Sequence, residues 1–391
     1  FFIGARVGGS LFTDGKLDQI RIYSAAITDA QANDLYTDET TTTAATLDFP
    51  TGAGCIAAYQ LDGDASDLSG AYGGVESGVG YTGLKFQPDF VWIKARNGTG
   101  QPTLFDSING VEHYLETNST AGLQNYPGYG LTAFGTTSFS VSDIANGGYR
   151  VNGASGGLYS GTPPDYVAWC WKAGGAPTTD NVAGAGATPT AGSAKIDGAN
   201  MTTALAGATP LTRLSANTEA GFSIITFEGP SGPSSTIGHA LGVTPDLIIA
   251  KRTDTTGNWA IQAPVLGPGY MLLNSSNGYE SADTSIWNGT AATSTEITIA
   301  SGTATFFPTG GEFVGYCFAN IDGYQRVSTY TGTGSAAGNY VYTTNDGTAT
   351  GTNGFEPAFL LIKKATTSTT GNWRVIDNKR SPANPRAHEL F

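Results

Sequence analysis

Three aspartates in one short stretch are the candidate metal ligands of this sequence. Asp62, Asp64 and Asp67 stand in the run Asp-Gly-Asp-Ala-Ser-Asp. Calcium binds several close oxygen ligands, so this spacing fits a Ca²⁺ site. The run lacks the spacing of an EF-hand loop and its distal Glu, and a solvated acidic turn has the same composition. We expect no cofactor, with Ca²⁺ at this turn as the open alternative.

Aromatic side chains in polar loops are the candidates for contact with a glycan. Trp287 and Asn288 lie in the loop 283–289, and Tyr126 and Tyr129 lie in the loop 125–130. Flat rings stack on sugar rings, and neighbouring amides and carboxylates hydrogen-bond sugar hydroxyls. These four residues are therefore predicted glycan contacts. Packing that anchors each loop is the alternative.

No motif predicts catalysis. The run 153–157, Gly-Ala-Ser-Gly-Gly, fits the letters of a nucleophile elbow, but that motif needs an apolar strand before the serine and a helix after it. His113, His239 and His388 are far apart in the chain and lack metal-site spacing. Acids are scarce in the predicted strands, so no carboxylate pair for glycoside hydrolysis stands out. We predict that the protein is not an enzyme.

The elements that must position these residues are built around one buried strand that occurs three times. The copies are Pro88–Lys94, Pro245–Lys251 and Pro357–Lys363. Each is a proline, a small or acidic residue, four apolar residues and a lysine. Four consecutive apolar residues are typical of a strand that is covered on both faces. The predicted core residues of these strands are Trp92, Ile93, Ile249 and Leu361.

Two cysteines occupy matching positions in a second recurring strand. Cys170 lies between Trp169 and Trp171, and Cys317 lies between Tyr316 and Phe318. Equivalent core positions in separate modules lie far apart, so both are predicted to be buried thiols. Unpaired thiols suit synthesis in a reducing compartment.

Composition excludes several classes of protein. Of 391 residues, 55 are Gly, 13% are charged and 11% are aromatic. Short β-branched and aromatic runs between turn residues predict an all-β fold of tandem β-sandwich (jelly-roll-like) modules. The net charge of −13 repels phosphate backbones, so nucleic acid is not an expected partner. No apolar run approaches the length of a bilayer span, and we expect no membrane insertion.

The order of the motifs predicts five segments in the chain. A short helix near 29–36 should begin at the capping box of Thr28 and Gln31. The strand at Cys55 is expected to be an edge piece of the first repeat, and Tyr324 and Tyr330 are expected to open the third. Modules of this kind would form a stiff rod. The segments are a domain end at 1–40, a first sandwich repeat at 46–175, a Gly/Ala/Thr-rich linker at 176–213, a second repeat at 214–321 and a truncated third repeat at 322–391.

Two resemblances follow from these motifs. Residues 15–36, a strand, a polar turn and a helix that ends in Leu-Tyr, resemble the C-terminal end of laminin-G-like (concanavalin-A-like) jelly-roll domains. The Pro-led strand, the Gly-Asn-Trp turns at 257–259 and 371–373 and the aromatic–Cys–aromatic strand resemble a β-rich repeat of uncharacterised function. That repeat occurs in virion structural and tail-fibre-like proteins of marine phages. The resemblance implies a virion surface protein that is made in the host cytoplasm.

The leading hypothesis is a non-enzymatic component of a phage surface appendage, a tail fibre or similar, that contributes to attachment to a host glycan. The resemblance implies other virion proteins as partners and a homo-oligomer, expected to be a trimer. A bacterial secreted or surface adhesin built from the same modules is the alternative. A glycan depolymerase is a third hypothesis, and it would require a cleft with two close carboxylates.

Overall fold

The computed structural model describes residues 20–37, 54–59, 84, 86–96, 100–142, 151–152, 165–281, 285–300, 306–335, 338–366, 370–380 and 389–390. Strands dominate this part of the chain, with one short α-helix and one 3-10 turn, which confirms the all-β prediction. No described helix is long and apolar enough to cross a membrane. The chain divides into two compact units, residues 1–85 and residues 86–391.

Unit 1 contains β1 (Ile20–Tyr23), α1 (Asp29–Thr37) and β2 (Cys55–Tyr59). The helix begins at the predicted capping box, because the Thr28 N–H donates to Gln31 Oε1 at 2.9 Å and the Gln31 N–H donates to Thr28 Oγ1 at 3.2 Å. β2 pairs antiparallel with β1. The prediction that the Cys55 strand is an edge piece of the first repeat is therefore wrong.

The first repeat forms a five-stranded sheet and a separate hairpin. Sheet A has the order β6-β5-β4-β3-β9, and β7 pairs with β8. The first Pro-led strand is an interior strand of this sheet and lies between β4 and β9. The strands are β3 (Phe90–Ala95), β4 (Thr103–Asp106), β5 (His113–Glu116), β6 (Gln124–Asn125), β7 (Gly130–Phe134), β8 (Phe139–Ser142) and β9 (Tyr166–Trp171).

The second repeat forms an eight-stranded sheet and a two-stranded ribbon. The strands are β10 (Ala194–Ile196), β11 (Ala199–Asn200), β12 (Leu211–Asn217), β13 (Phe222–Glu228), β14 (Ser234–Gly238), β15 (Leu247–Arg252), β16 (Trp259–Gln262), β17 (Met271–Leu272), β18 (Glu296–Ala300) and β19 (Glu312–Phe318), with a 3-10 turn at Pro264–Leu266. Sheet B has the order β11-β10-β12-β13-β19-β15-β16-β17, and β14 pairs with β18.

The segment 176–213 contributes β10, β11 and the first residues of β12 to sheet B, so the prediction of a Gly/Ala/Thr-rich linker between two repeats is wrong. β10 pairs in parallel with β12 and antiparallel with β11. The Asn181 side chain holds the preceding loop, because its Oδ1 accepts the N–H groups of Ala183 and Thr190 and its Nδ2 donates to Leu211 O. This loop is therefore ordered by hydrogen bonds from a side chain to the backbone, which a search for apolar periodicity does not detect.

The third repeat forms sheet C, in the order β20-β21-β22. Its strands are β20 (Phe359–Ile362), β21 (Arg374–Asp377) and β22 (Glu389–Leu390). The described part of 319–358 contains no strand, so the prediction that Tyr324 and Tyr330 open a strand of this repeat is wrong. Thr, Ser and Gly dominate that segment and give it no alternating apolar face.

Burial follows the predicted pattern in the first two Pro-led strands. Trp92, Ile93 and Ile249 are buried in β3 and β15, which are covered on both faces. One face of each strand contributes to a central core. The other face packs against the β7–β8 hairpin in the first repeat and against the β14–β18 ribbon in the second. Leu361 in β20 is only partly buried, and it packs against the central core alone. Each of the first two repeats is therefore a two-layer sandwich.

The predicted thiols are free. Cys317 is fully buried and Cys170 is partly buried, and neither forms a disulfide. Burial raises the pKa of each thiol to about 12. Both side chains lie on the face of their sheet opposite the central core, where they act as small apolar residues.

The central core is shared by all three repeats. It contains Trp92 from sheet A, Ile249 from sheet B and Val375 from sheet C. The Phe359 ring of sheet C lies 5.2 Å from the ring of Trp171 in sheet A. The prediction of separate sandwiches strung along a rod is therefore wrong for residues 86–391, because the inner faces of the three sheets bury one another.

Equivalent tryptophans join successive repeats. Trp259 Nε1 of the second repeat donates to Glu116 O of the first repeat at 3.0 Å. Trp373 Nε1 of the third repeat donates to Leu272 O of the second repeat at 3.0 Å. Both residues belong to the Gly-Asn-Trp turns that were recognised in the sequence. The turn is therefore the contact by which one repeat binds the preceding one.

The lysines that end the Pro-led strands complete these junctions. Lys251 Nζ donates to Thr120 O at 3.1 Å, and Lys363 Nζ donates to Ser276 O at 2.8 Å. Lys251 is only 1% exposed, and two carbonyls of its own repeat accept its remaining N–H groups. Burial lowers the pKa of Lys251 to about 8. Lys251 and Lys363 therefore end their strands against the preceding repeat.

A second set of contacts connects the aromatic–Cys–aromatic strands to buried aspartates. Tyr316 of the second repeat donates its hydroxyl to Asp106 Oδ2 of the first repeat at 2.7 Å. Trp169 of the first repeat occupies the same strand position as Tyr316, and its Nε1 donates to Asp377 Oδ2 of the third repeat at 3.2 Å. The second repeat thus contacts the first, the first contacts the third, and the third contacts the second. The three repeats form a closed ring of contacts.

Candidate functional surfaces

The loop between β6 and β7 carries one exposed and one partly buried tyrosine ring. Tyr126 is 43% exposed, and its ring centroid lies 6.2 Å from that of Tyr129 with an interplanar angle of 67°. The Tyr129 N–H donates to Tyr126 O at 2.9 Å, which closes a tight turn. Gly128 has a φ of 82°, a value that favours glycine. Two rings are thereby held at an angle on a fixed turn.

The loop that carries Tyr126 packs against the core of the first repeat. The Tyr126 ring lies 6.2 Å from the buried ring of Tyr114 in β5. The Tyr126 N–H donates to Glu112 O at 2.9 Å, and Asn125 in β6 is exposed beside it. An aromatic face with a neighbouring amide is suited to contact with a sugar ring and its hydroxyls. The predicted residues Tyr126 and Tyr129 are therefore adjacent, with Tyr126 exposed and Tyr129 partly exposed.

Trp287 is not accessible, and the prediction of a surface contact at this residue is wrong. Its side chain is 1% exposed, and its ring lies 5.5 Å from that of Phe307 in the outer core of sheet B. Asn288 is exposed and has a φ of 50°, as expected of a turn residue. The burial of a large apolar ring outweighs the polarity of the neighbouring residues. The structure does not bring Trp287 and the two loop tyrosines into one site.

Four further exposed tyrosines were not predicted as glycan contacts from the sequence. Four tyrosines between sheets B and C are exposed by 40% to 84% of their surface. Their segment is rich in Gly, Thr and Ser and contains no strand among its described residues. The signal in the sequence is the combination of tyrosines with this turn-forming composition. The residues are Tyr324, Tyr330, Tyr340 and Tyr342.

Two of the three histidines lie among the described residues, and both make local hydrogen bonds. His113 Nδ1 contacts Val111 O at 2.9 Å. His239 is fully buried, and its Nδ1 accepts the Leu241 N–H, so its Nε2–H donates to Thr293 O at 3.1 Å. Burial lowers the pKa of His239, which matches a neutral ring. His388, the serine motif at 153–157 and the candidate calcium ligands Asp62, Asp64 and Asp67 lie outside the described residues.

Among the described residues, no group of three or more His, Cys, Asp and Glu side chains could hold a metal ion. Buried acids with a perturbed pKa are the usual candidates for catalysis, and Asp106 is one of them because burial raises its pKa. Its Oδ1 accepts the N–H groups of Ile108 and Asn109, and its Oδ2 accepts the Tyr316 hydroxyl and Asn109 Nδ2. Both carboxylate oxygens are engaged in structural hydrogen bonds.

A small cavity lies between the loop at 184–187 and the start of β12. Its volume is ≈ 20 Å³, and it is lined mainly by small and apolar residues, including Pro189 and Leu211. A water molecule needs about 10–15 Å³ of such space, whereas ligand pockets span about 300–1,000 Å³. The cavity has room for water and not for a sugar.

A family model described as a domain of unknown function, DUF7483, matches residues 68–390. The chain belongs to the DUF7483 family. The DUF7483 match runs through all three repeats, in agreement with the shared core of residues 86–391. No curated protein and no solved structure matches the chain significantly. The family assignment therefore carries no activity with it.

Proposed function

We propose that this chain is a non-enzymatic component of a phage virion surface appendage, a tail fibre or similar, that presents tyrosine loops to a host-surface glycan. The paired rings of Tyr126 and Tyr129 on a rigid turn are the observation that carries the proposal. Aromatic rings that are held in place lose little conformational entropy when they contact a ligand. The resemblance of the repeats to phage virion proteins supplies the setting.

The electrostatics of the chain support a neutral or basic ligand. The net charge of −13 disfavours phosphate-rich polymers and leaves stacking and hydrogen bonding as the main attractions. Shallow surface contacts of this kind are individually weak. Repetition of the site in a homo-oligomer, expected by resemblance to be a trimer, would raise the overall affinity by avidity.

The test is binding to an array of bacterial surface polysaccharides. We expect the Tyr126→Ala/Tyr129→Ala double variant to lose about tenfold or more in apparent affinity, which corresponds to about 1.4 kcal/mol. Val182→Ala is the matched control, because Val182 is 88% exposed and lies in another loop. Unchanged binding of the double variant would refute a role for this loop. A Tyr340→Ala/Tyr342→Ala variant tests two of the exposed tyrosines between sheets B and C in the same assay.

Two further measurements separate the alternatives. Labelling with a specific antibody should decorate phage particles, whereas a bacterial adhesin would be found on the producing cell. A glycan depolymerase would release reducing ends from the bound polysaccharide, and we expect none. Release of reducing ends that the double variant abolishes would favour the depolymerase over the proposal made here.

A further inference from the structure

Glu112 lies directly before β5 and has a φ of 66°, a backbone conformation that residues other than glycine rarely adopt. Nearby, Gly110, Gly128 and Gly130 have positive φ values without the strain that a Cβ atom brings. Strained residues of this kind are concentrated at binding and active sites. The feature that needs an explanation is therefore the Glu112 side chain.

The fold of the repeat does not require a glutamate at this place. The pairing of β4 with β5 and of β16 with β17 makes the equivalent connection of the second repeat one residue shorter. That connection has Gly-Pro-Gly at 267–269 and no acidic residue. Glu112 is thus specific to the first repeat, which is also the repeat that carries Tyr126 and Tyr129.

The main chain of Glu112 holds the loop between β6 and β7 at both of its ends. The Glu112 carbonyl accepts the Tyr126 N–H at 2.9 Å, and the Glu112 N–H donates to Leu131 O at 2.8 Å. The first residue of the loop and the second residue of β7 are thereby fixed to the same glutamate. The Glu112 side chain consequently starts beside the turn that carries the two tyrosine rings.

Two polar side chains next to the rings are available to a ligand. Glu112 is partly exposed, and its carboxylate makes no hydrogen bond or ion pair with any described residue. The exposed amide of Asn125 is likewise unbonded within the described part of the chain. A carboxylate accepts hydrogen bonds from two adjacent hydroxyls, and an amide donates to a hydroxyl or ring oxygen. With the aromatic faces, these groups complete the set of contacts that a sugar ring can make.

We propose that Glu112 determines which sugar the Tyr126–Tyr129 surface accepts. This inference rests on the glycan-binding function proposed above and names its ligand class. The ligand is a neutral sugar residue with two adjacent free hydroxyls, which donate to the Glu112 carboxylate while the rings stack on the apolar face of the sugar. Uronic acids and phosphorylated sugars are rejected, because their charge would face a carboxylate on a protein of net charge −13.

The experiment uses the whole chain and the bacterial polysaccharide that it binds most tightly in the array described above. That polysaccharide should be neutral, and a derivative with its primary hydroxyls oxidised to carboxylates should bind about tenfold more weakly. Glu112→Gln keeps the shape of the side chain and removes its charge. It should bind the neutral polymer about fivefold more weakly and discriminate less than about threefold against the oxidised form. Glu219→Gln is the matched control, because Glu219 is exposed in the turn between β12 and β13.

Glu112→Gly separates a role in binding from a role in structure. Glycine removes the carboxylate and adopts a φ of 66° without strain, so the midpoint of urea unfolding should equal or exceed that of the parent chain. The affinity for the neutral polymer should nevertheless fall about fivefold or more. A lower unfolding midpoint in both Glu112 variants would assign the residue to structure and overturn the proposal.

The remaining outcomes distinguish this inference from the function on which it rests. An acidic polysaccharide as the tightest ligand, or unchanged affinity and discrimination in Glu112→Gln, would overturn the role of Glu112. If the Tyr126→Ala/Tyr129→Ala variant still lost binding in that case, the glycan-binding function would stand. No binding of the parent chain to any polysaccharide would refute the glycan-binding function itself, and the role of Glu112 with it.

Discussion

Replacing Tyr316 with phenylalanine removes one hydroxyl from the contact between the first two repeats and should destabilise both. The hydroxyl and its acceptor, Asp106, are fully buried, and the bond is 2.7 Å long. A hydrogen bond to a charged group contributes about 1.5–3 kcal/mol, and the remaining partners of Asp106 still satisfy its carboxylate. We therefore expect Tyr316→Phe to lower the free energy of unfolding by about 2 kcal/mol.

The assay is urea unfolding followed by tryptophan fluorescence, combined with hydrogen exchange. Tyr279→Phe is the matched control, because the Tyr279 hydroxyl accepts the Gly269 N–H at 2.7 Å within the second repeat. This neutral bond should contribute about 1 kcal/mol. The prediction specific to the shared core is that Tyr316→Phe accelerates exchange in sheet A as well as in sheet B. An effect confined to sheet B, or separate unfolding transitions for the repeats, would refute the shared core.

Two further predictions test other contacts. Trp373→Phe deletes the hydrogen bond to Leu272 O and should lower the free energy of unfolding by about 1 kcal/mol. Hydrogen exchange should accelerate mainly in sheet C, and equal acceleration in all three sheets would contradict this role. Burial holds the pKa of His239 below 6.5, so the unfolded chain binds a proton more readily than the folded chain as the pH falls through and below that value. The contribution of His239 is complete above pH 6.5 and is lost in acid, so His239→Gln should reduce the loss of stability between pH 7.5 and 5.5. An identical loss in the variant and the parent would contradict this role.

The local features of the fold were predictable because they depend on neighbours in the sequence. The capping box of Thr28 and Gln31 and the buried strand at Trp92 each follow from a few adjacent residues. The ordered loop before β10 was not predictable in this way, because the Asn181 side chain, rather than an apolar pattern, holds it. The prediction of an exposed Trp287 was wrong because the polarity of neighbouring residues does not determine where a large ring packs.

The packing of the repeats on one another was not predictable from the repeats alone. Copies of one motif have the same sequence pattern whether each buries its own core or shares one. A signal was nevertheless present at the Gly-Asn-Trp turn, which occurs in the second and third copies. The first copy has Gln101 and Pro102 at the corresponding positions, before β4. The first repeat of unit 2 has no preceding repeat in that unit to contact, and it lacks the tryptophan that makes the contact.

The junctions between repeats are chemically asymmetric, and this bears on how such chains change over time. The donors are specific side chains, a tryptophan and a lysine, but the acceptors are main-chain carbonyls. Every residue type has a main-chain carbonyl. The two junctions already use different residue types as acceptors, because Glu116 corresponds to Leu272 and Thr120 corresponds to Ser276. Genetic exchange of one copy for another would thus conserve these tryptophan and lysine contacts without any matching mutation in the neighbouring repeat.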